Sequence, residues 1–248
     1  MRGASLSVDS SPASRFRFRW QHATLLTSFI LLVLTGFALK FPDSWFASML
    51  SVGERMRHLL HRVAAVVVIG ASTVHLFDLF LTHDGRRPAR DLFPMLDDMK
   101  GAWQNLSYYL GLSNIKPEFP RFNYAEKAEY WALVWGMFVM AGTGVMLWAK
   151  VSFGNHLPRW WLDVATAIHY YEAVLATLAI IVWHFYQVFL DPDVYPMNWA
   201  WWDGKMTLHH YQEEHGLDPN PAIEILSDDE SDAVTAEEPE PTEVNHGH

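Results

Sequence analysis

Four segments of this chain are long and apolar enough to cross about 30 Å of hydrocarbon at about 1.5 Å of helix rise per residue. They run over about 21 to 41, 59 to 82, 128 to 150 and 162 to 190. The first follows Arg15, Arg17 and Arg19 and stops at Phe41 and Pro42, where proline and its effect on the preceding residue end a helix. The third opens on an aromatic cluster and closes on Trp148 and Lys150, and Trp160 and Trp161 open the fourth, as side chains do at the headgroup level. Half the residues are apolar and the mean hydropathy is close to zero, which is what greasy spans diluted by polar ends produce. The fold class expected is all-α, an integral membrane four-helix transmembrane bundle.

Orientation follows from basic residues. Twelve of the 18 Lys and Arg residues fall in the N-terminus, the segment 83 to 127 and the C-terminal segment. The positive excess marks the cytoplasmic side, so both termini and the long loop 83 to 127 are expected there. Residues 1 to 14 lack a charged stretch leading into an apolar run with a small-residue cleavage site, so a cleaved signal peptide is not expected. The net charge of -10 is largely a tail effect, because no Lys or Arg follows Lys205. The domain reading is a flexible 1 to 14, a four-span unit over 15 to 212 and an acidic disordered tail over 213 to 248, whose composition buries too little apolar surface to offset its ordering entropy.

The absence of cysteine excludes disulfides, iron-sulfur clusters, thiolate zinc sites and covalently attached haem in this chain. Histidine is abundant instead, at 13 residues, and five lie in the spans. A metal-ligating or ionisable side chain inside a span is costly and is read as functional. His22 opens the first span, His61 and His75 lie near the two ends of the second, and His169 and His184 near the two ends of the fourth. At about 100° per residue, His75 falls about 40° short of four turns from His61, and His184 about 60° beyond four turns from His169. Each pair therefore shares a face, with its members about 21 to 23 Å apart along the helix. Spans two and four run in the same direction, so His61 and His169 share the outer depth, while at the inner depth His184 meets either His22 or His75. Two bis-histidine haems stacked across the membrane are expected. Zinc fits poorly, since histidine stands here without cysteine or clustered carboxylates. The rival reading from another class is a haem-free transporter or proton relay that uses the same histidines. Gly70, Ala71, Ser72, Gly142 and Gly144 would admit either a macrocycle or a neighbouring helix.

The stretches QHATLLTSFILLVLTGFALKF, LLHRVAAVVVIGASTVHLF, FNYAEKAEYWALVWGMFVMAGTGVMLW and HYYEAVLATLAIIVWHFYQVFLDPDVYPMNWAWWDGKM resemble the b-type cytochrome membrane subunits of formate dehydrogenase and nickel-iron hydrogenase, over about residues 15 to 212. That resemblance implies two non-covalent b-type haems. Their axial ligands would be one histidine from the first span, one from the second and two from the fourth, matching His22, His61, His169 and His184. The inner haem would then join His22 to His184. His75 lies outside the simplest form of this pattern and is left to replace His22, ligate a further haem or help bind quinone. The resemblance also implies electron exchange with the quinone pool, and a redox partner on the outer side: a dehydrogenase, a hydrogenase or a multihaem cytochrome c. The setting implied is a bacterial inner membrane crossed several times, with lipid and quinone as further partners and no nucleic acid.

Quinone chemistry needs an apolar slot, partners for the carbonyls and a proton route. Tyr124, Glu126, Lys127, Glu129 and Tyr130 at the start of span three, with Asp78, are the candidates, and Glu129 is the preferred catalytic proton-handling residue. Glu172, one turn after His169, reads either as orienting a ligand or serving outer-side proton transfer, or as snorkelling to the interface. Trp199, Trp201 and Trp202 read as an interfacial belt, and His209, His210 and His215 as solvent exposed.

Overall fold

The computed structural model describes residues 12–150, 154, 158–190, 195, 197, 200–203, 205–207, 215–218 and 224–226. Residues 1–11 and most of the acidic tail, with Trp199, His209 and His210, lie outside the described residues, while 12–14, read above as part of a flexible N-terminus, belong to the first helix.

Four long helices dominate: α1 (Pro12–Lys40), α3 (Glu54–Leu81), α6 (Tyr124–Trp148) and α7 (Arg159–Leu178), the last continuing through wider π turns over Ala179–His184 and Tyr186–Leu190. Each contains a stretch long and apolar enough to cross a membrane, over Arg19–Lys40, Glu54–Leu81, Tyr124–Trp148 and Arg159–Leu190. Their faces carry exposed apolar side chains such as Val63, Val66, Leu175 and Ile181, which a helix surrounded by lipid presents at no cost. The helices begin earlier than the apolar runs because capping extends them. Asn123 accepts hydrogen bonds from the backbone N–H groups of Ala125 and Glu126, while the Glu126 carboxylate accepts from the Asn123 N–H.

Contacts order the helices as two antiparallel pairs, α1 with α3 and α6 with α7. At one end the start of α1 meets the end of α3 through Arg17 and Asp78 at 3.1 Å, and the start of α6 meets the end of α7 through Glu129 and His184 at 2.6 Å. This is the inner end of the sequence reading. At the opposite, outer end Arg62 of α3 lies 5.3 Å from the Trp148 ring of α6, and Lys40 of α1 lies 4.8 Å from the Tyr170 ring of α7. The two pairs thus touch mainly near their ends.

The segment 83 to 127, read above as a loop, contains two helices, α4 (His83–Asp91) and α5 (Leu96–Tyr109). Leu79, Ala89 and Leu92 form a small buried cluster with Phe122 and Tyr130, and Trp131 donates to the Leu92 carbonyl at 2.9 Å, so α4 is pinned to α6. Two short helices, α2 (Trp45–Met49) and α8 (Ala200–Asp203), accompany them. The all-α expectation has one exception: β1 (Lys205–Thr207) pairs in parallel with β2 (Glu224–Leu226). Ile225 and Leu226 are apolar residues with strand preference inside an otherwise acidic tail.

Candidate haem and quinone site

His61 of α3 and His169 of α7 face each other with ring centroids 6.4 Å apart. Each is held in the same way. Thr35 donates its hydroxyl proton to the Leu31 carbonyl at 2.6 Å, so its oxygen accepts from His61 Nδ1–H at 3.0 Å. Thr143 donates to the Val139 carbonyl at 2.7 Å and accepts from His169 Nδ1–H at 2.9 Å. Because each hydroxyl spends its one proton on the helix backbone, each imidazole must donate through Nδ1, and this tautomer leaves Nε2 as the lone-pair nitrogen. The residue after each threonine is a glycine lying against the same ring. A Cβ at Gly36 would sit 3.2 Å from His61 Cε1, and one at Gly144 would sit 3.3 Å from His169 Cε1. Gly142 and Gly70 meet no neighbouring helix in this way.

Sequence reasoning missed Thr35, Thr143 and Gly36. The available signal was a Thr-Gly dipeptide in spans one and three, each with its threonine 26 residues before an outer histidine. Glu172 does not take the orienting role expected of it, since Thr143 holds His169. The Glu172 carboxylate instead lies against α6 in the gap at Gly136, where a Cβ would meet its Oε1 at 2.9 Å.

At the inner end His184 lies in the π segment of α7 and donates Nδ1–H to the Glu129 carboxylate at 2.6 Å. A π turn rotates each residue by less than an α turn, which removes part of the 60° by which regular spacing carries His184 past the face of His169. Glu129 is therefore joined directly to a candidate ligand. His22 sits at the same end, next to Gln21. Its ring lies 5.5 Å from that of Trp201, and its Nδ1 is buried without a hydrogen-bond partner. Buried ring nitrogens are rarely left so by a protein alone.

His75 occupies a different environment from the other four. It donates Nδ1–H to Gln21 Oε1 at 3.1 Å, and its Nε2 accepts from the Tyr130 hydroxyl at 3.3 Å. Gln21 then donates through Nε2 to Asp78 Oδ2 at 2.8 Å, and Arg17 donates to Asp78 Oδ1 at 3.1 Å. Tyr130, His75, Gln21 and Asp78 make a chain with donors running toward the Asp78 carboxylate, which the half-exposed Arg17 meets from the other side. With both ring nitrogens engaged, His75 has no free lone pair for a metal.

The donor set can be tested against the groups proposed from sequence. An imidazole bound through one nitrogen places its ring centre about 3 Å from a metal, so a pair sharing one metal stands about 6 Å apart. The 6.4 Å between His61 and His169 suits that arrangement, and both expose the same nitrogen. Arg57, one turn before His61, is buried, donates to the Ala38 carbonyl at 3.0 Å and keeps an unpartnered Nε, so a positive charge stands ready beside this pair.

Tyr124, Glu126 and Lys127 are each engaged in hydrogen bonds at the start of α6. Glu126 caps α6, Tyr124 accepts from Asn105 at 3.1 Å, and Lys127 donates to Asp98 at 2.8 Å. His215 approaches the Pro120 carbonyl at 3.4 Å.

Comparison with known proteins agrees with the resemblance. The family model described as prokaryotic cytochrome b561 matches residues 14–196. The chain is 22% identical over 176 residues to the cytochrome b556(Fdn) subunit of the nitrate-inducible formate dehydrogenase of Escherichia coli, covering 71% of this chain and 76% of the relative. It is 23% identical over 172 residues to the formate dehydrogenase cytochrome b556 subunit of Haemophilus influenzae, covering 69% of this chain and 67% of that protein.

Proposed function

From the premise that this chain belongs to the prokaryotic cytochrome b561 family and is a multi-pass membrane cytochrome b that transfers electrons as an oxidoreductase subunit, we propose that it holds two b-type haems and exchanges electrons between quinone and an outer redox partner. The single observation that supports the haem reading most is the matched pair His61 and His169, 6.4 Å apart and each held by a threonine in the tautomer that leaves Nε2 for a metal. His22 and His184 would hold the inner haem and His61 and His169 the outer one. The four long helices would form a transmembrane bundle with both termini in the cytoplasm. The names of the relatives favour a dehydrogenase, formate dehydrogenase above all, as the partner.

When bound, each haem would supply a one-electron centre, held by His61 with His169 and by His22 with His184. The protein's part is positioning and proton handling. Thr35 and Thr143 orient the outer imidazoles and raise their basicity through their hydrogen bonds, and Glu129 does the same more strongly for His184 through a carboxylate. Arg57 offers a buried positive charge to a haem carboxylate.

At the inner end, oxidising a quinol releases two electrons and two protons, and reducing a quinone takes up the same. The Tyr130 hydroxyl can take a proton from a quinol oxygen as it passes its own to His75 Nε2. His75 then becomes an imidazolium whose Nδ1–H remains on Gln21, held by Asp78. Reversed, the same transfers protonate a quinone. His75 is thus assigned to proton exchange with the cytoplasm rather than to iron.

The test is a reduced-minus-oxidised spectrum with haem quantification on purified protein and its His→Ala variants. Two b haems per chain are expected, retained in His75→Ala and reduced to one when His22 or His61 is replaced. A haem-free protein would overturn the reading and favour a transporter or proton relay.

A further inference from the structure

Helix α5 has three faces of different chemistry. With Asp98 set at zero and about 100° per residue, Gly101, Ala102 and Asn105 fall within about 60° of it, and this face meets the protein. Asp98 Oδ1 accepts from the buried Lys127 at 2.8 Å, Asn105 donates to Tyr124 at 3.1 Å, and Gly101 lies against Phe119. Leu96, Met99, Trp103, Leu106 and the adjoining Leu110 fall between about 80° and 160°. All five are exposed, from 49% at Leu106 to 80% at Leu96. Asp97, Lys100, Gln104 and Ser107 fall between about 180° and 260°. Among these, Asp97 and Lys100 pair at 2.7 Å on the surface.

A soluble helix needs two faces, one for the core and one for water. The third, apolar face of α5 calls for an apolar medium, and its location says which. Lys127 and Tyr124, which tether α5, belong to the first turn of a helix that crosses the membrane from that point. The tether holds α5 at the level where hydrocarbon gives way to headgroups, with its polar face turned away from its apolar one. We infer that α5 is an interfacial helix that lies on the bilayer and inserts Leu96, Met99, Trp103, Leu106 and Leu110 into the boundary of headgroups and acyl chains, to a depth of about 5–10 Å. The occupant of the apolar face is phospholipid, and the inference stands independently of haem or quinone.

The chain has no cysteine, so single spin labels can be placed without background. Labels at Met99→Cys, Trp103→Cys and Leu106→Cys, and at Asp97→Cys and Gln104→Cys, are compared in vesicles of phosphatidylethanolamine and phosphatidylglycerol. The first three are expected to collide with oxygen several-fold more than with a water-soluble nickel chelate, and the last two the reverse. Labels on the apolar face that meet the chelate as readily as those at 97 and 104 would show a solvated face and overturn the inference. Labels shielded from both reagents would show that a second copy of the chain covers the face, and would overturn it equally. A visible spectrum and thermal melt matching the unlabelled protein qualify each variant as folded.

Discussion

His61 and His169 come from different helix pairs yet meet 6.4 Å apart, each leaning on a threonine 26 residues before it in the chain and on the glycine that follows that threonine. The two halves of the chain thus build the same half-site twice, and each half contributes one imidazole with Nε2 directed away from its support.

Removing the hydroxyls tests that support. Thr35→Val and Thr143→Val keep the side-chain shape and delete the hydrogen bond to Nδ1, making each imidazole a poorer donor. The haems should remain at two per chain, while the midpoint potential of one rises on the order of tens of mV, because a weaker donor stabilises ferric iron less. A potentiometric titration followed in the visible region checks this. An unchanged potential in both variants would mean that the threonines do not act on a ligand.

The glycines make a contrasting set. At Gly36 the space a side chain needs is filled by a ring fixed on its far side, so Gly36→Val should displace His61 and leave one haem per chain. At Gly136 the obstacle is the flexible end of Glu172, so Gly136→Ala should cost about 1 kcal/mol or less and retain both haems. Haem-to-protein ratios of the purified variants decide the matter.

His75→Phe should separate proton handling from iron ligation. Both haems are expected to stay, with their reduced spectra unaltered, while steady-state quinol turnover falls about 10²-fold. Glu129→Gln, by contrast, should change the spectrum or potential of the inner haem as well as turnover, since its carboxylate is bonded to His184. Loss of a haem in His75→Phe would move that residue back among the ligands.

The Lys127–Asp98 pair gives a stability prediction. Both groups are largely buried, at 6% and 16% side-chain exposure, and Asp98 also accepts from the Met95 N–H at 2.6 Å. Lys127→Met strands a carboxylate and should cost about 3 kcal/mol, with α5 released first. Adding Asp98→Asn should recover part of that loss. Limited proteolysis between residues 92 and 123, together with thermal melts, reports both effects.

The four apolar helices and the nearness of His61 to His169 were legible in the sequence, because length, apolarity and a 3.6-residue repeat are local properties. The supports were not. Thr35 and Thr143 look like any hydroxyl bonded back to its own helix, and only the approach of a second helix turns the remaining lone pair toward an imidazole. His75 was ambiguous for the same reason: a histidine nearly two turns from the end of a span reads as a ligand, and its contacts to Gln21 and Tyr130 come from other helices. The π turns that carry His184 leave no mark in composition. Helix α5 was read as loop because its apolar residues are too few for a span, although a stripe at 96, 99, 103, 106 and 110 was there to be found.

The thin contact between the two helix pairs bears on how the molecule is made. Within each pair the helices lie along one another, whereas α3 and α6 share few contacts. Under the dihaem reading both axial bridges cross between the pairs, His61 to His169 and His22 to His184. The iron would then add two bridges to the few side-chain contacts that join the hairpins, such as His75 with Tyr130 and Arg62 with Trp148. On that reading, loss of haem would loosen the join between the two hairpins and leave the packing inside each one in place.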